Sequence, residues 1–288
     1  MKQGVITELM IFKSKFIIYL SEQKRMAKHT VNSYKLDMDA LVYFVEKNEK
    51  RFSGADIANT LINYNLFLHE SSLSKASIAR KTSCLRTFCR FLQSEGLMID
   101  ITLKRPFFKE KKPVFFEYRR LLDLFDASEK EQKRARFYIR ERAIWELLLA
   151  TGIRCNEIIT LAFADLDLEM RHVVVQDSKS RRRILSFDER TCLRLKMYMT
   201  QERELYEPKE QYLFLNNFGY KLTSRAIQRS LKLLTRLVNI PDEITPHTLR
   251  HSYAMYLLSC NISHESLKEL LGLRSSETVE KYVYCTKE

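Results

Sequence analysis

The sequence predicts a mainly α-helical protein: an N-terminal four-helix domain, then an α+β domain with a small antiparallel sheet. Three observations predict it. Apolar residues recur at helical spacing over most of the chain, as at Tyr34, Met38, Leu41 and Val45. Only a few short runs read as strands, chiefly Val173-Val174-Val175 and Arg183-Ile184-Leu185-Ser186-Phe187. Between the helical N-terminal part and the rest lies a stretch with two prolines and clustered cations, Leu103 through Pro106 to Pro113, which suits a linker. The division expected is residues 1–98, a basic linker over 99–113, and residues 114–288.

The elements follow in order. Leu9, Phe12, Phe16 and Leu20 fall on one face of a first helix. A second carries the Tyr34 to Val45 stripe, with Thr30 or Ser33 as its cap. A break is expected over residues 48–54. A third helix runs through Ile57, Leu61, Tyr64 and Leu68. Ser74 opens a fourth, with Ile78, Leu85, Phe88 and Leu92 on one face and Gly96 as its stop. After the linker come a helix near 118–125, a polar stretch over 128–136, and a helix from 137 to Thr151 that Gly152 ends. A third short strand is expected just after Leu166. Helices then cover 191–204, 224–238, 247–260 and 263–272, with a last one near 277–284.

Composition narrows the function. The 288 residues carry 49 Lys+Arg against 36 Asp+Glu, a formal net charge of +13. Such an excess favours a polyanion, nucleic acid first and an anionic membrane surface second. A hydrophobic content of 45% is enough for real cores. The apolar N-terminal run is broken by Lys13 and Lys15 and is too short to span a bilayer. Six cysteines lie scattered without metal-ligand spacing, so they are expected reduced, in a cytoplasmic protein without a structural metal.

The residues that point to chemistry suit phosphate. His247 and Arg250 stand three apart at a helix start that Pro246 favours. Arginine grips phosphate through paired N–H groups and keeps its charge. Arg154 follows Gly152 at a tight turn and can project into a cleft; Glu157 either orients it or is a first-turn carboxylate. Lys179 sits in the turn between the two strands, where it can protonate a leaving oxygen or, with its neighbouring arginines, simply contact nucleic acid. Tyr282 is a candidate nucleophile, with Tyr284 a near rival. Lys28, His29 and Thr30, and Ser77, Arg80, Lys81 and Arg86, lie at or near helix starts and suit either backbone phosphates or ordinary capping and solvation.

In order and spacing, Ala150-Thr151-Gly152-Ile153-Arg154-Cys155-Asn156-Glu157-Ile158, the basic hairpin, Thr245 to Ala254, Leu270-Leu271-Gly272 and Tyr282 resemble the tyrosine recombinases of the Xer/phage-integrase type. The resemblance spans nearly the whole chain, and residues 16–43 and 77–96 are similar to the SAM-like core-binding domain of these enzymes. It implies two domains forming a clamp around DNA. It implies that Arg154 and Arg250 hold the scissile phosphate, that His247 is the histidine of the HxxR motif, and that Tyr282 attacks phosphorus to form a 3′-phosphotyrosyl bond. Lys179 matches the general acid, in a hairpin one residue shorter than usual, and Glu157 a supporting acid. Arg225, Gln228, Arg229 and Lys232, with Ser224, match a helix that lies against DNA.

Two departures stand out. Leu273 occupies a position usually held by His or Trp, with Arg274 beside it. Only Cys285, Thr286, Lys287 and Glu288 follow Tyr284, where relatives usually continue into a segment docking on a neighbouring subunit, so that contact is not expected in its usual form. The implied function is site-specific recombination through a Holliday junction, resolving or integrating DNA, on duplex carrying a specific site. The implied assembly is a tetramer on paired sites, of one chain or with a paralogous recombinase, without membrane or cofactor. An accessory DNA-binding protein with impaired cleavage, and a nicking-closing enzyme like type IB topoisomerases, are the alternatives.

Overall fold

A computed structural model describes residues 4–52, 55–104, 106, 114–132, 138–177, 181–273 and 275–286. The chain divides into two compact units, Met1–Glu110 and Lys111–Glu288.

The first unit is helical. It contains α1 (Val5–Ile18), α2 (Lys28–Lys47), the single turn α3 (Glu49–Phe52), α4 (Ile57–Glu70) and α5 (Lys75–Ser94). A π-helical turn over Tyr19–Gln23 extends α1 and keeps Leu20 buried. The apolar stripes meet in one core of Leu9, Phe16, Leu20, Met38, Leu41, Val45, Leu61, Leu85, Phe88 and Leu92. Ser74 caps α5 by accepting from the Ser77 backbone N–H, and Gly96 ends it at a φ of +88°.

Three expectations here are corrected. The second helix starts at Lys28, not at Thr30 or Ser33, because the chain reverses at Arg25 with φ 45° and enters the helix through Ala27. Thr30 and Ser33 therefore lie inside α2, where Ser33 Oγ donates to the His29 carbonyl. The break expected over 48–54 contains α3, whose Phe52 is buried against Phe44. Ile99 and Leu103, read from sequence as linker, pack into the first unit's core. Residues 105 and 107–113 of that stretch lie outside the described residues.

In the second unit, α6 (Tyr118–Gln132) runs further than expected, because Ser128 is buried and Glu129 pairs with Arg194 at 3.1 Å. The remainder of the expected polar stretch, from residue 133, is outside the described residues. Then come α7 (Tyr138–Thr151), which is buried all round, and the short α8 (Cys155–Ile158). The sheet has three antiparallel strands in the order β1 (Leu166–Asp167), β2 (His172–Gln176) and β3 (Arg182–Ser186), with Val174 opposite Ile184. Val173, Val175 and Leu185 point inward, the period-two pattern of a half-covered sheet. The chain continues through α9 (Glu189–Gln201), α10 (Ser224–Leu237), α11 (Pro246–Ser259), α12 (His264–Leu270) and α13 (Ser276–Thr286).

Most of this unit shares one core around Trp145, Leu148, Leu195, Phe214 and Leu231. A smaller one holds Tyr253, Ala254, Leu267, Leu271, Val279 and Tyr282. No helix among the described residues is long and apolar enough to cross a membrane.

Gly152 joins α7 to α8. Its φ is +59°, and an added Cβ would lie 2.6 Å from Tyr253 Cδ1. Gly152→Ala combines left-handed strain with a clash in the smaller core, so a loss of about 2–4 kcal/mol in denaturant unfolding is the expected result.

Candidate active site

Four segments converge: the start of α8, β3, the start of α11, and the turn that follows α12. Glu157 is at their centre. As the third residue of the α8 turn it accepts from the Arg154 backbone N–H at 2.9 Å, which closes the turn. Its Oε1 also accepts from Arg154 Nη1 at 3.0 Å and Arg183 Nη1 at 2.9 Å, and its Oε2 from Arg183 Nη2 at 2.7 Å. Glu157 thus pairs with Arg154 and also sits in the first turn of α8. Burial pushes its carboxyl up, but the Arg183 hydrogen bonds, the Arg154 N–H and the two positive charges outweigh that and hold it below the ordinary carboxylate value.

The turn after α12 supplies a second set of acceptors. Arg183 Nε donates to the Leu270 carbonyl at 3.0 Å, Arg250 Nη2 to that of Leu271, and Arg154 Nη2 to that of Gly272 at 2.5 Å. Three arginines thus take three successive carbonyls at a helix C-terminus, the end that favours cations. Gly272 permits it: with φ +57°, an added Cβ would lie 3.1 Å from Arg183 Nη1 and 3.3 Å from Arg154 Nη1.

Arg250 reaches this turn from α11. Thr245 caps that helix, accepting from the Thr248 N–H at 3.0 Å, and Pro246 takes its first position. The Arg250 side chain is buried and also donates Nη1 to the Gly152 carbonyl at 2.5 Å. Burial and the neighbouring Arg154 charge lower its pKa to about 10, so it stays cationic at neutral pH. Arg154 is more open, with 37% of its side chain accessible. A guanidinium has five N–H groups, so each arginine keeps donors beyond these contacts for a phosphate.

Tyr282, on α13, is 4% exposed, and its hydroxyl shares a 2.8 Å hydrogen bond with His251 Nδ1. Tyr284 is 62% exposed. His247 is exposed at the start of α11, and its ring stands 6.4 Å from that of His251, one turn on. Burial, His247 and Arg250 push the His251 pKa down to about 4. The folded chain thus resists a proton that the unfolded chain takes up near pH 6.5, so stability present above pH 6.5 is lost as pH falls towards 4. His251→Gln removes this titration; its melting temperature is expected to fall less than that of wild type between those pH values.

The structure brings Arg154, Glu157 and Arg250 together, with Tyr282 joined through His251 to the same helix as Arg250. Lys179, between β2 and β3 in the chain, lies outside the described residues. Leu273 follows the arginine-bearing turn and packs against the smaller core, while Arg274 is outside the described residues. Two contributors had no role in the sequence reading. Arg183 was one cation in a basic run; its parity with Leu185, two residues on along the strand, was the available signal. His251 was visible four residues from His247, but nothing in the sequence placed α13 beside it.

The outlying basic residues divide. Arg225, Gln228, Arg229 and Lys232 are exposed along one face of α10, which Thr223 caps. Lys28, His29, Arg80 and Arg86 are exposed, whereas Thr30 is half-buried. Asp37 is buried and binds both Arg80 and Lys81, the latter at 3.1 Å with 14% of its side chain accessible. Lys81 is therefore held as an internal counter-charge. Ser77 is taken up in the α5 cap, its Oγ 2.9 Å from that of Ser74.

Residues 115–288 match the phage integrase family, and residues 14–96 match its N-terminal SAM-like domain. The chain belongs to the phage integrase family. This integrase-family chain is 30% identical over 285 residues to tyrosine recombinase XerC of Bacillus subtilis (strain 168), covering 96% of this chain and 92% of the relative. It is 30% identical over 281 residues to tyrosine recombinase XerD of Oceanobacillus iheyensis, covering 94% and 93%. The crystal structure of XerH site-specific recombinase bound to palindromic difH substrate has the same fold, with a TM-score of 0.80 at 20% identity over 98% of this chain and 94% of that one. The sequence resemblance thus gave the right family, and with it the enzyme class: a tyrosine recombinase, which cleaves and religates DNA in site-specific recombination.

Proposed function

We propose that this integrase-family enzyme cleaves each strand of a specific duplex site with Tyr282, using Arg154 and Arg250 to hold the scissile phosphate. The observation that carries this is the anchoring of both arginines on one backbone turn, with Tyr282 bound through His251 to the helix that bears Arg250. The Tyr282 hydroxyl passes its proton along its hydrogen bond to His251, its oxygen attacks phosphorus, the P–O5′ bond breaks, and a 3′-phosphotyrosyl link forms. The two guanidiniums stabilise the charge gathering on the non-bridging oxygens. His247 hydrogen-bonds the phosphate from the exposed start of α11, and Lys179 gives the leaving 5′ oxygen its proton. Reversal of these steps on a partner strand religates it, and two rounds pass through a Holliday junction.

The DNA-facing groups are Arg225, Gln228, Arg229 and Lys232 of α10 in the second unit, and Lys28, His29, Arg80 and Arg86 in the first, whose exposure supports phosphate contact. Matches over 14–96 and 115–288 support a two-domain division, with the first domain extending past residue 98 to take in Ile99 and Leu103. The enzyme acts in the cytoplasm as a tetramer on paired sites, alone or with a paralogous recombinase, resolving or integrating DNA. Relatives named as recombinases along almost the full chain favour this over a cleavage-impaired accessory protein or a nicking-closing enzyme.

The test is a nicked suicide duplex whose site has been selected from random sequence by affinity for the chain. A covalent protein–DNA adduct with a free 5′ hydroxyl is the expected product. Selected sites that are bound but never joined to protein would overturn the proposal.

A further inference from the structure

We propose that Arg183 is a positioning residue for strand cleavage, holding Glu157 in the orientation that aims Arg154 at the scissile phosphate; this rests on the phosphate-holding role given to Arg154 above.

Arg183 grips Glu157 with both terminal nitrogens and the Leu270 carbonyl with Nε. Only 11% of its side chain is accessible, against 37% for Arg154. The two arginines therefore differ in kind: Arg183 is enclosed and committed to protein acceptors, while Arg154 is open. They share one carboxylate, since Glu157 Oε1 accepts from both. Glu157 alone could rotate about its side-chain bonds. Gripped on both oxygens by a planar fork, in addition to the Arg154 N–H on Oε2, it presents Oε1 to Arg154 in one direction. Lysine at position 183 would keep a cation but lose the fork. The buried Glu157 carboxylate also offsets the mutual repulsion of Arg154, Arg183 and Arg250.

A positioning residue acting through Arg154 has a signature that a general scaffold defect lacks. In a 5′-bridging phosphorothiolate duplex the leaving group is a thiolate, which departs without the proton that Lys179 supplies. Cleavage still forms the Tyr282–phosphorus bond and breaks the P–S bond, and it still needs the arginine clamp. The experiment measures adduct formation and duplex binding for wild type, Arg183→Lys, Arg183→Met, Glu157→Gln and the Arg183→Lys/Glu157→Gln double variant, on phosphodiester and phosphorothiolate duplexes.

The expected result is cleavage slowed about 10- to 100-fold in Arg183→Lys, with binding changed less than about threefold. The phosphorothiolate gives no rescue, and the double variant is no slower than the slower single one. Rescue by the phosphorothiolate would move the effect of Arg183 to the hairpin lysine and overturn the proposal. So would multiplicative defects, an unchanged rate, or loss of folding in both Arg183 variants on thermal melting. A wild-type chain that forms no adduct, or an adduct that survives Tyr282→Phe, fails the cleavage reading itself and is recognised before any Arg183 variant is compared.

Discussion

Tyr282→Phe is expected to bind the selected duplex as wild type does and to form no covalent adduct with it. The substitution removes one oxygen and keeps the ring that packs among Tyr253, Leu267 and Val279 in the smaller core. The fold therefore survives, at a cost of about 1–2 kcal/mol for the hydrogen-bond partner left on His251. The chemistry does not survive, because no other hydroxyl occupies that position. Tyr284, two residues on, is 62% exposed and points elsewhere on the helix. Denaturing electrophoresis of a labelled suicide duplex reads the result directly. An adduct retained in Tyr282→Phe and lost in Tyr284→Phe would transfer the nucleophile's role.

Arg250→Lys is expected to lower the rate of adduct formation by about 10²–10³-fold. The guanidinium spans two carbonyls, Gly152 and Leu271, that belong to different segments. An ammonium on a shorter stem cannot bridge both and still offer a paired donor set to phosphate. Part of the damage is to stability, since a buried carbonyl without its donor costs about 1–3 kcal/mol. The two effects separate in measurement: adduct rate under saturating duplex reports the first, and denaturant unfolding the second. A rate within about threefold of wild type, in a protein that unfolds normally, would remove Arg250 from the phosphate site.

Much of the fold was legible because it rests on periodicity. The stripe from Tyr34 to Val45 and the run from Ile78 to Leu92 can bury their apolar residues only as helices, and the alternation around Val173, Val175 and Leu185 only as a sheet. Helix starts were less legible. Thr30 and Ser33 have cap chemistry, yet a reversal at Arg25 that no residue type announces moved the start to Lys28. Arg154, Glu157 and Arg250 were singled out as candidates by local spacing. Arg183, His251 and the Asp37 partnership of Lys81 were not, because each depends on a contact between residues 26 to 44 positions apart. A cation in a basic run has the same appearance whether it faces solvent or a buried carboxylate.

The three arginines that meet at the end of α12 are held there by main-chain oxygens of Leu270, Leu271 and Gly272. Every residue type carries such an oxygen, so replacing a side chain leaves the acceptors in place. What fixes them is the length of chain between the helix and residue 272. Substitution at Leu270 or Leu271 therefore leaves these oxygens in place, whereas a side chain at Gly272 would crowd Arg183 and Arg154, and inserting or deleting one residue slides all three oxygens past their arginines at once. Position 273 closes that turn: the Leu273 N–H donates to the Lys268 carbonyl at 2.9 Å, and its side chain packs against the smaller core.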